Sequence, residues 1–219
     1  MKGVLVEFAS AFGKSVPNVI AFQFNPETLR RTWTQPVANT AGGNPLGVQG
    51  APGEAYALTL MLDITDAFGD NPSSPGAADA IAGGLRSRIA ALEMLMFPVA
   101  AASPATSVGG TSGKSSRSTP SAQVPAVLFV WGPGRILPVR ITTLSITESL
   151  FDALLNPTHA TVELGFRVMT PKELDNVTGP FKDIALAAYQ FSQGQRETLA
   201  LFNLSTAAGS LNLPPIPGV

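Results

Sequence analysis

Cysteine is absent from the 219 residues and histidine occurs once, so the chain builds no disulfide framework, no thiolate zinc site and no paired-histidine metal centre. Charge is scarce as well. Asp, Glu, Lys and Arg together make up 13 % of the chain, against roughly 25 % in an average soluble domain. The net charge of −1 comes with no basic stretch, which argues against nucleic acid or an anionic membrane as partner. Nowhere do 18 apolar residues run consecutively, so no transmembrane helix is expected. At the N-terminus, Lys2 is followed by few apolar positions before Glu7, which does not read as a signal peptide. A cytoplasmic start is therefore expected.

Hydrophobic residues, at 45 %, are plentiful, and a chain of this length can bury a sizeable core. So little charge does not cover a lone globule. Part of the surface is then expected to be buried against neighbouring subunits, because the core of an obligate interface is depleted in charge.

Period-two alternation and turn residues divide the first half into short strands. One is expected within 3–8 and one over 18–24, the latter ended by Asn25-Pro26, since proline pushes the preceding residue out of the helical region. A strand over 28–35 places Leu29 and Trp33 on one face. Residues 36–53, rich in Gly, Asn, Pro and Ala, read as a long loop. In 54–65, Leu58, Leu60 and Leu62 alternate with Thr59, Met61 and Asp63 as in a half-buried strand. Over 77–97 the period changes. Ile81, Leu85, Ile89, Leu92 and Met96 recur at three and four, predicting an amphipathic helix with Asp79 in its first turn and Pro98 at its end.

A Ser/Thr/Gly-rich stretch over 100–124 has too few large apolar groups to offset its ordering entropy and is expected to be a flexible insertion. Residues 125–132 read as a buried strand ending at Trp131-Gly132. In 136–149 the apolar phase slips between Ile141 and Leu144, predicting a β-bulge near Thr142-Thr143. After a turn over 151–157, Val162, Leu164, Phe166 and Val168 alternate with polar positions, and the two strands form the clearest hairpin. Residues 181–203 are helix-permissive with Ile184, Ala188, Phe191, Leu199 and Phe202, as one helix or as two separated at Gly194. The Pro-rich stretch 211–219 is expected to be extended and to dock on a neighbour.

Candidate chemistry is thin. His159 lies beside a strand with no nucleophile motif near it, and reads as a strand-edge polar residue. Asp63 and Asp66 flank a strand end, where capping of the following loop explains them without catalysis. Gly109 to Ser115 comes close to a phosphate loop, but Val108 stands where the first glycine belongs, with no strand before and no helix after. No catalytic, cofactor-binding or metal-binding residue is assigned, and no enzyme activity is expected.

One run carries a family likeness: Phe22, Phe24, Asn25, Pro26 and Leu29, followed by Trp33. This strand, Asn-Pro turn and strand resembles the N-terminal motif of the tube/baseplate adaptor family of contractile, phage-tail-like injection systems. Leu58 to Asp66, Ile89 to Leu92 with Phe97-Pro98, Pro125 to Gly132 with Trp131, and Leu144 to Val162 with Phe151 and Pro157 resemble its later blocks in order, over about 3–170. Members often carry a C-terminal LysM module. Here a helix and Pro-rich residues stand in its place, and peptidoglycan binding is not implied.

The resemblance implies a mainly β fold with α: a tube-protein-like antiparallel β-sandwich or partial barrel over 1–176, with one packed helix. Residues 177–219 form a helical arm and tail. It also implies a homo-oligomeric ring, six-fold, joining a spike or hub to the inner tube within a baseplate. That places the protein in the cytoplasm within an assembled particle, or outside the cell after release. Phe22, Phe24, Asn25, Pro26, Leu29, Trp33, Trp131 and Phe151 become the assembly motif. The alternatives are an inner-tube subunit of the same machine and a carbohydrate- or cell-wall-binding β-sandwich.

Overall fold

The structure, a computed structural model, describes residues 1–8, 18–37, 46–64, 83–98, 123–177 and 181–210. Asp66, Asp79, Ile81, the near phosphate loop at 109–115 and the Pro-rich 211–219 lie outside these, as does nearly all of 100–124. The elements are β1 (Val4–Glu7), β2 (Asn18–Ala21), β3 (Leu29–Thr34), β4 (Gly53–Asp63), α1 (Arg86–Met94), β5 (Val127–Val130), β6 (Ile136–Phe151), β7 (Pro157–Val168), α2 (Pro171–Leu174) and α3 (Phe181–Ser210). All seven strands join one sheet in the order β2-β1-β5-β6-β7-β4-β3, each neighbouring pair antiparallel.

Alternation in the sequence is alternation in space. On β4, Glu54, Tyr56, Leu58, Leu60 and Leu62 are buried while Ala55, Ala57, Thr59 and Met61 face out. β7 matches it with Val162, Leu164, Phe166 and Val168 inward. The expected bulge is present: Ile141 pairs with Phe166 but Thr143 pairs with Gly165, and the shift returns Leu144 and Ile146 to the inner face opposite Leu164 and Val162. Gly165 fits the bulge because a Cβ there would collide with the Thr143 hydroxyl.

The sheet curls into a partial barrel rather than splitting into two sheets. Tyr56 on β4 and Phe129 on β5 are three strand positions apart, about 14 Å in a flat sheet. Their ring centroids nevertheless lie 5.8 Å apart. At the far edge Gln23, just past β2, bonds across to β4. Its Nε2 donates to the Asp63 carbonyl and its Oε1 accepts the Asp63 N–H at 2.9 Å. β2 and β4 are five positions apart, about 24 Å if flat, so one side-chain amide acting as a substitute strand closes the curl. Phe129 and Phe166, with centroids 4.7 Å apart, sit in the middle of the enclosed aromatic cluster.

α1 covers part of this core with Leu85, Ile89 and Leu92, as its spacing predicts. The last residue of the expected series, Met96, is exposed, and Leu95 is buried in its place. The helix ends in a tighter turn in which Leu95 N–H bonds to Leu92 O and Met96 N–H to Glu93 O. At three residues per turn, the position three after Leu92 stays on the inner face. α3 is one continuous 30-residue helix through Gly194. Its buried stripe is Phe181, Ala185, Ala188 and Ser192, while Ile184 and Phe191 are each 43 % exposed. Small residues let the helix lie close on Leu128, Val6 and Phe8, and the bulkier Ile184 and Phe191 turn outward.

Candidate functional site

α3 crosses the rim of the barrel at the start of β6, where the Ser192 hydroxyl accepts the Ile136 N–H at 3.0 Å and donates to the Ile136 carbonyl at 2.7 Å. One turn later Arg196 reaches into the mouth. Its Nη2 lies 2.7 and 2.5 Å from the two Glu54 carboxylate oxygens, and Glu54 is only 4 % exposed. The Tyr56 hydroxyl donates to the same carboxylate at 2.6 Å. Burial pushes the Tyr56 phenol above its ordinary value of 10.0, and the hydrogen bond to Glu54 pushes it the same way. Trp33, opposite Glu54 in the β3–β4 register, lies beneath two guanidinium groups, Arg196 at 4.9 Å and Arg31 at 5.8 Å. From Glu197 through Leu204 the helix is exposed, including Leu199, Leu201 and Leu204.

At the tip of the β6–β7 hairpin, Leu150, Leu154 and Leu155 are 70, 76 and 73 % exposed, with Phe151 beside them. Asp152 organises this loop. Its Oδ1 accepts the N–H groups of Leu154 and Asn156, both at 2.8 Å, and its Oδ2 accepts the Asn156 side-chain amide at 2.9 Å. Those bonds, the Asn156 side chain first, hold the Asp152 carboxyl below the ordinary 3.8. Leu150 and Leu155 adopt φ of 53° and 61°, left-handed backbone that β-carbon-bearing residues rarely take.

The expected assembly motif divides among these places. Phe22 and Trp131 pack in the core with ring centroids 6.3 Å apart, and Leu29 is half-buried against the same cluster. Asn25 fastens the N-terminus: its Oδ1 accepts the Gly3 N–H at 2.9 Å and its Nδ2 donates to the Met1 carbonyl at 3.0 Å. Pro26 is half-buried beside it. Phe24, Trp33 and Phe151 are exposed, and they stand after β2, on edge strand β3 and at the hairpin tip respectively. His159 pairs with Asp63 across the β4–β7 register, Nδ1 to Oδ2 at 3.5 Å. Among the described residues no three His, Cys, Asp or Glu side chains come together, and no helix is long and apolar enough to cross a membrane.

Glu54, Arg196, Gln23 and the tip leucines were not singled out by the sequence reading. Glu54 could have been found, because it falls in phase with Tyr56, Leu58 and Leu60, and a carboxylate on an inward face needs a partner. Leu154 and Leu155 carry a signal too, being large apolar residues inside a turn. No family model matches the chain, and a search of curated proteins returns no match.

Proposed function

We propose that this chain is a non-catalytic ring subunit of a contractile injection system, acting as the adaptor that joins the spike or hub to the inner tube. The observation that carries the reading is where its apolar surface lies. In a chain with 13 % charge, two groups of large exposed apolar side chains stand out among those of the described residues, Leu150, Phe151, Leu154 and Leu155 at the β6–β7 tip and Leu199, Leu201, Phe202 and Leu204 late in α3. Surfaces of that kind belong against other proteins. Two further features support it: among the described residues no strand pairs with the outer sides of β2 and β3, where a neighbour's strand can add, and the motif that carries the family likeness anchors the barrel through Phe22, Asn25 and Leu29.

In this role the protein works by shape. It is to match the symmetry of the spike above with that of the tube below, and no bond is made or broken. Light scattering and negative-stain microscopy of the purified chain test this. Closed rings of about six copies are expected from the ring symmetry. Long tubes formed by this chain alone would instead mark it as an inner-tube subunit, and a monomer retained on cell-wall polysaccharide would overturn the reading.

A further inference from the structure

We propose that the β6–β7 tip is a knob that docks into a cleft at the opposite end of the same hairpin on a second copy of this chain. The inference rests on the ring reading only for its consequence, since the contact itself is argued from the surfaces. Three observations on the knob converge. Leu150, Leu154 and Leu155 are each at least 70 % exposed. The loop holding them is locked by Asp152 and by the Leu155 N–H to Asp152 carbonyl and Asp152 N–H to Asn156 carbonyl bonds, both 3.0 Å. Leucine also stands at two left-handed positions where glycine or asparagine would sit without strain. A loop that is rigid, strained and apolar at once is preorganised for a contact, and its leucines are there for their side chains.

The matching cleft, of about 250 Å³, lies where β5 and β7 meet α2 and α3, with apolar walls from Ala126, Met169, Val177 and Phe181 and a polar side from Gln123, Glu173 and Asn176. An apolar cavity of about 150 Å³ accepts a benzene ring, so this one has room for a leucine side chain and part of a second. Glu173, the carboxylate of the cleft, is already paired with Arg167 at 2.7 Å, whereas Arg140 stands at the cleft exposed and with no ion-pair partner among the described residues, and it complements the Asp152 carboxylate carried by the knob. Arg140 and Phe151 are eleven residues apart on β6, about 35 Å along the strand, so a copy cannot fill its own cleft. Unlike patches at opposite ends make a head-to-tail contact, and such a contact generates a ring when its rotation closes.

The absence of cysteine gives a clean test. The doubly substituted full chain Leu154→Cys/Val177→Cys is oxidised, and its disulfide-linked species are compared with those of a Phe97→Cys/Val177→Cys control. The proposal expects linked multimers at least tenfold above the control. Equal yields would overturn it. Independently, Leu154→Arg and Val177→Arg should each abolish self-association and, when mixed, give a 1:1 dimer, because one intact knob and one intact cleft remain. Should Val177→Arg not fold, Arg140→Glu replaces it. Two variants that stay monomeric on mixing count against the proposal. A ring without the crosslink would sink the contact and leave the ring reading standing; open crosslinked chains without rings would do the reverse.

Discussion

The barrel mouth and the hairpin tip are both organised by a single carboxylate, yet the two differ in what that carboxylate holds up. Glu54 is shut inside the mouth, where its charge is tolerable only because Arg196 and the Tyr56 hydroxyl meet it. Asp152 is only half-buried, its hydrogen bonds stay within its own loop, and its one influence from outside is the charge of Arg86 on α1. Burial turns the same chemical group from a local turn former into a tie between elements distant in sequence. The mouth therefore governs whether α3 stays docked, and the tip governs what the docked molecule can meet.

The comparison breaks most visibly at Arg196. Arg196→Ala leaves a buried, unpaired carboxylate and should cost about 3 kcal/mol of stability in urea unfolding. Glu54→Gln together with Arg196→Met removes both charges and should recover most of that loss. If the single variant unfolded like the wild type, the mouth would not depend on the ion pair. Gln23→Ala supplies the neutral counterpart. It strips two hydrogen bonds from Asp63 across the barrel seam and should cost about 2 kcal/mol by the same measurement. Trp33→Leu keeps the strand but loses the ring under Arg196, and the expected cost is about 1 kcal/mol, diminished by the partial exposure of the ring.

These effects also mark what could be read in the sequence. The alternation on β4 and β7 and the phase slip at Thr142-Thr143 are local signals, and each appears where it was expected, whereas the strand expected over 18–24 ends early, at Ala21, with the chain bending at Gln23 and Phe24. Alternation would put Phe22 and Phe24 on one face, but with that bend one ring is in the core and the other outside, and the motif is part foundation and part surface. What stayed hidden depends on distance. Gln23 meets Asp63 across 40 positions and Arg196 meets Glu54 across 142, and no periodicity links such pairs. The curl of the sheet follows from those contacts, which is why sandwich and partial barrel could not be told apart beforehand. The exchange of Met96 for Leu95 turns on the tightening of one helical turn.

The smallest effect on stability, and the sharpest contrast with Glu54, is expected from titrating Asp152. Its folded carboxyl is held below the ordinary 3.8 by the Asn156 side chain and by the Asn156 and Leu154 N–H groups. A depressed folded pKa means the charged loop is fully favoured above the unfolded value and loses that advantage as pH falls through the folded one. Loop order should therefore persist from neutral pH to below 3.8 and fade only beneath it. Amide chemical shifts of Leu154 and Asn156 followed through an acid titration report this directly. Asp152→Ala should remove the transition and disorder the tip, and it should lower the urea midpoint less than Arg196→Ala does, because the buried Asn156 amide loses its partner but no buried charge is stranded. A midpoint shift as large as that of Arg196→Ala would mean the tip supports the barrel, and the division of labour between the two carboxylates would not hold.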